Sequence, residues 1–83
     1  MSELYSTSDI WLGSLLLAET DAELVKVQVS RTGRETVTFC FKGNDLYRMA
    51  EAYCRNDALA NVTQLRAKIN DLRDLIFQKR QGR

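Results

Sequence analysis

Hydrophobic and polar positions alternate strictly in the middle of this chain and follow helical spacing on either side of it. In Leu24–Arg31, Val25, Val27 and Val29 alternate with Lys26, Gln28 and Ser30. In Glu35–Lys42, Val37, Phe39 and Phe41 alternate with Thr36, Thr38, Cys40 and Lys42. A period of two gives each segment one apolar face, so strands are expected over about 24–31 and 35–42. Thr32-Gly33 signals the turn between them. Residues directly opposite in a hairpin share a face. The valines should therefore oppose Val37, Phe39 and Phe41, for example Val25 with Phe41 and Val29 with Val37. That register requires an odd loop, of roughly three or five residues. A two-stranded sheet alone is marginal in water, so its Val/Phe face must lie on helices or its edge must pair with something else.

Tyr5–Ala18 carries the only Trp and the densest run of large aliphatic side chains. The pattern predicts a helix over about 7–18, with Ser6 or Thr7 as N-cap and Asp9 in the acidic place of a capping box. Ile10, Trp11, Leu12, Leu15, Leu16, Leu17 and Ala18 leave it almost no polar face, so it must be covered on more than one side. Gly13 weakens such a helix by about 1 kcal/mol relative to Ala and is expected to permit a close contact. The acidic Glu19–Glu23 segment ends it.

Gly43-Asn44-Asp45 breaks the second strand and caps a helix over about 44–54, whose apolar stripe is Leu46, Met49, Ala50 and Tyr53. Asn61 with Gln64 forms another capping box and opens a helix over about 62–79. There Val62, Leu65, Ile69, Leu72 and Ile76 make a coiled-coil-type seam, widened by Leu75. The seam is too short to stand alone, so it packs on the core, on a partner, or on both. The fold expected is a single α+β domain over 1–83, of order α-β-β-α-α, with an antiparallel hairpin packed on helices. Dimerisation is one way to complete it.

Composition adds few constraints. The chain is 45% hydrophobic and 28% charged with net charge +1, as in ordinary globular proteins, so no global field draws it to nucleic acid or an anionic membrane. The distribution says more. All charged residues in 1–25 are acids, namely Glu3, Asp9, Glu19, Asp21 and Glu23, whereas all twelve Lys and Arg follow. The apolar run Leu15–Ala18 is too short for a signal peptide, and no stretch approaches the ~20 apolar residues of a membrane span. Two cysteines, Cys40 and Cys54, fit a reduced intracellular protein, and their spacing suggests neither a disulfide nor a zinc site.

Histidine is absent, which removes the commonest general base and His-based triads and metal sites. No catalytic residue, metal ligand or cofactor is assigned. Gly43-Asn44-Asp45 reads as a plain helix start, and Asp71 and Asp74 read as solvated carboxylates, Asp71 within reach of Lys68. Two surfaces remain as candidates. Arg66, Arg73 and Arg80 recur every seven residues, and with Lys79 they are candidate nucleic-acid contacts. Asp71 and Asp74 partly neutralise that row, and Phe77 is its only interleaved aromatic. Trp11 with Leu65, Ile69, Leu72 and Ile76 is a candidate protein interface, and the alternative for Trp11 is a filled core.

Tyr5-Ser6-Thr7-Ser8-Asp9-Ile10-Trp11-Leu12 with Leu15-Leu16-Leu17, then Val37-Thr38-Phe39-Cys40-Phe41, then Leu65, Ile69, Leu72 and Ile76 together resemble a family of small single-domain proteins of unknown function from bacteria and phages. The resemblance implies a cytoplasmic protein of a bacterial host, encoded by a phage or mobile element, and carries over no site residues. The expectation is a non-enzymatic accessory protein that binds a host or phage protein, with anti-defence or host takeover as a subclass and a homodimer as its form. The alternative is a small nucleic-acid-binding accessory or regulatory protein using the basic C-terminal helix.

Overall fold

Phe39 and Phe41 lie at the centre of the fold because their strand, β3 (Thr36–Gly43), is paired on both sides. One neighbour is β2 (Glu23–Ser30); the other is a strand the alternation pattern missed, β1 (Glu3–Thr7). Both pairings are antiparallel, in the order β1-β3-β2. Three helices complete an α+β domain: α1 (Ile10–Glu19), α2 (Leu46–Cys54) and α3 (Val62–Gln81). The computed structural model describes residues 2–30, 33 and 35–81, with the side chains of 80 and 81 outside that description. The expected turn residue Thr32 also lies outside it, whereas Gly33 is described and has φ 74°, a conformation glycine adopts without strain.

β1 corrects the start of the first helix. Tyr5, Ser6 and Thr7 pair with Phe41, Cys40 and Phe39, so neither Ser6 nor Thr7 can be the N-cap. Asp9 takes that place, accepting from the backbone N–H of Trp11 at 2.9 Å and of Leu12 at 3.3 Å. The sheet thereby gains the third strand that a hairpin needs for stability.

The hairpin register is half as expected. Val29 opposes Val37 and Val27 opposes Phe39, but Leu24, not Val25, opposes Phe41. A β-bulge between Leu24 and Lys26 shifts the ladder, turns Leu24 toward the helices and leaves Val25 52% exposed. One extra residue on one strand exchanges the faces of everything beyond it.

α1 lies between the sheet and α3. Leu12, Leu15 and Leu16 are buried with Phe39, Phe41, Leu46, Ala50 and Leu72 in one core. Gly13 permits the close approach expected of it: a Cβ there would stand 3.1 Å from Phe41 Cζ and 3.3 Å from Leu72 Cδ1. On α2, Leu46 and Ala50 are buried and Met49 and Tyr53 pack beside them, as the stripe required. On α3 the seam is used internally at Ile69 and Leu72, with Leu65, Leu75 and Ile76 packed around that core. Val62 is not part of it: on the same side of α3 as Ile69 but at the very start of the helix, it is 67% exposed.

Candidate functional site

The acids of the first third of the chain do not form a free negative surface, because most of them hold backbone N–H groups of other elements. Asp9 caps α1. Glu3 accepts from the backbone N–H of Tyr47 in the first turn of α2 at 3.1 Å, where the N-cap residue Asp45 sits at φ 62° and caps nothing with its side chain. Glu19 accepts from the backbone N–H of Asn61 at 3.2 Å, and the Asn61 side chain accepts from that of Gln64 at 3.0 Å, opening α3. Asp21 accepts from the Asn44 backbone at 2.7 Å and from its side-chain amide at 2.9 Å. Those bonds, the backbone one foremost, hold the Asp21 carboxyl below its ordinary range. Burial, and then the hydrogen bond to Asp9, push the Tyr53 hydroxyl up.

The clefts offer little chemistry. One of about 300 Å³ lies between the α1–β2 connection and α2, lined by Glu19, Asp21, Asn44, Asp45, Arg48 and Met49 among others. Its carboxylates are engaged: Asp21 with Asn44, and Asp45 with Arg48 at 3.1 Å. Among the described residues no group of three or more His, Cys, Asp or Glu converges as a metal site would require. Both cysteines are free thiols. Cys40 accepts a hydrogen bond from Ser6 Oγ at 3.1 Å on the sheet face turned away from the helices, opposite Lys26 on the other neighbouring strand.

The candidate protein interface separates into two parts. Leu72, 0% exposed, is consumed by the core it shares with the α1 leucines, Ile69 is buried at 5% exposure, and Leu65 and Ile76 are half-buried around that core. Ile69 and Leu72 cannot anchor a partner without opening the core, whereas Leu65 and Ile76 keep part of their surface accessible. Trp11, by contrast, stands 52% exposed. Its neighbours Leu12, Gly13, Ser14, Leu15 and Leu16 are all buried, so Trp11 is exposed by its place in the first turn of α1, on a side that Ser14 and Leu15 bury one turn later. The filled-core alternative does not hold for this residue.

The basic candidates sit on the outer flank of α3. Arg66, Arg73 and Lys79 are exposed, and among the described residues none of them forms an ion pair or side-chain hydrogen bond. Arg80 belongs to the same helix, but its side chain lies outside the described residues. The expected pair of Asp71 with Lys68 does not form. Beside the arginines stand Val62 and Phe77, 67% and 62% exposed. Val62 shares its side of α3 with buried Ile69 and is exposed because it opens the helix. No helix of the described residues is long and apolar enough to cross a membrane. No family model, curated protein or solved structure matches the chain.

Proposed function

We propose that this protein is a non-enzymatic accessory protein that works by binding another protein. The observation that carries this reading is Trp11: the largest side chain of the helix stands in solvent while the residues around it are buried. Large aromatic residues so placed are frequent anchors of protein interfaces. The engaged carboxylates of the cleft and the lack of histidine support a role without catalysis. A phage or mobile-element setting in a bacterial cytoplasm, with host takeover or anti-defence as the purpose, follows from the sequence resemblance alone, and a homodimer is part of the same reading. The test is a photo-crosslinking benzoyl-phenylalanine at position 11 in a bacterial host. A discrete adduct that is absent when the probe stands at exposed Glu51 supports the reading; no adduct at position 11 overturns it. Light scattering reads the oligomer, since a mass of 9.5 kDa across micromolar concentrations eliminates the dimer.

The second reading is a nucleic-acid-binding accessory protein. It is favoured by the exposed Arg66, Arg73 and Lys79, which have no ion-pair partner among the described residues. Its measurement is affinity for duplex DNA and RNA against salt, with a slope that falls in Arg66→Ala.

A further inference from the structure

We infer that the outer flank of α3 is a docking strip for an acidic amphipathic helix of another protein, with partner carboxylates over Arg66 and Arg73 and apolar partner side chains over Val62 and Phe77. This rests on the protein-binding reading and names the chemistry of the partner.

The strip follows from helix geometry. At ~100° per residue, Val62, Arg66, Arg73 and Phe77 fall within a sector about 60° wide, and from first to last they span about 22 Å. Val62 and Phe77 are solvent-exposed apolar groups that the core does not use. Among the described residues the two arginines between them form no ion pair. Asp71 and Asp74 lie roughly 150° and 90° round the helix from the midline of the strip, so they do not quench it. An acidic helix offers the matching order of apolar, acidic, acidic, apolar at the same rise per residue, the helix-on-helix mode of recognition.

Charge decides against the other occupants. A second copy laid strip to strip sets arginine on arginine. Six of the eleven acids are engaged, Glu3, Asp9, Glu19 and Asp21 with backbone amides and Asp45 and Glu51 with Arg48 and Arg55, and the Asp71 and Asp74 of a second α3 lie off the strip, roughly 90–150° from its midline. A nucleic-acid backbone satisfies the arginines but offers Val62 nothing apolar.

The test is fluorescence anisotropy with a labelled synthetic helix of about 20 residues, its two Glu seven apart and a Leu four residues outside each, at about 0.15 M salt. A scrambled peptide of equal composition and a duplex DNA are the comparators. The expected result is binding about tenfold or more tighter than the scrambled peptide, weakened about tenfold by Arg66→Glu with Arg73→Glu and severalfold by Phe77→Ala. The substituted sites are exposed, and circular dichroism checks that the variants keep their fold. Equal binding of the two peptides, or binding indifferent to these substitutions, overturns the proposal. So does tighter binding of DNA with a steep salt slope, which assigns the arginines to nucleic acid. A doubled mass lost in Phe77→Ala also overturns it and assigns the strip to self-association. If the strip fails while the position 11 adduct forms, only this proposal falls and the protein-binding reading stands.

Discussion

The Glu3 carboxylate accepts a hydrogen bond from the backbone N–H of Tyr47, so the first strand of the chain caps a helix forty-four residues away. The Tyr47 hydroxyl returns a bond to the Leu4 carbonyl at 3.0 Å, and the Tyr47 ring meets Tyr5 edge to face with centroids 5.0 Å apart. Losing such a cap costs about 0.5–2 kcal/mol. Glu3→Ala is expected to lower stability by that amount in urea unfolding, whereas Asp45→Asn, at the cap position itself and able to keep φ 62°, should cost less.

Acid should weaken the fold through Asp21. Its carboxyl is held below its ordinary value of 3.8 by the Asn44 bonds, so the charged form is favoured in the folded state. The stabilisation is complete above the unfolded value and is lost as pH falls through the lower folded value. Thermal unfolding followed from pH 6 to pH 2 should show this component in the wild type and not in Asp21→Asn.

Size and importance to stability are reversed on α1. Leu16 is 0% exposed and Trp11 52%. Leu16→Ala should cost about 2–5 kcal/mol, and Trp11→Ala only about 1–2 kcal/mol despite removing the larger side chain. Equal losses in chemical denaturation would place Trp11 in the core and remove the basis of the binding proposal.

Gly13 and Phe41 should be coupled. Alanine at 13 improves helix propensity by about 1 kcal/mol, but its Cβ would press on a buried ring at 3.1 Å. Gly13→Ala is expected to destabilise by about 1–2 kcal/mol in the wild type and to become neutral or stabilising in a Phe41→Leu background. A double-mutant cycle measures the difference.

The legible parts of the fold were those with local periodicity. Val27, Val29, Val37, Phe39 and Phe41 showed their face because period two leaves no other choice, and Leu46–Tyr53 and Leu65–Ile76 did the same at helical spacing. β1 was illegible because Glu3–Thr7 is short, carries Leu4 on its solvent side and places Ser and Thr where a helix cap is normally read. The bulge at Val25 left no sequence mark, since Leu24 and Val25 are equally apolar. Of the candidate surfaces, the seven-residue spacing of Arg66 and Arg73 could be read directly. The exposure of Trp11, Val62 and Phe77 could not, because Trp11 and Val62 stand in first turns that the neighbouring elements do not reach, and periodicity is blind to where cover along a helix stops.

That same bulge governs how the protein behaves when crowded. β2 is an eight-residue edge of the sheet, the kind of strand that recruits other chains into extended assemblies. Its regular ladder is interrupted at Val25, and the next residue is Lys26, so an incoming strand meets a break and then a charge. Edge-to-edge aggregation is thereby discouraged without a covering element, and the exposed helical flanks stay available for selective encounters.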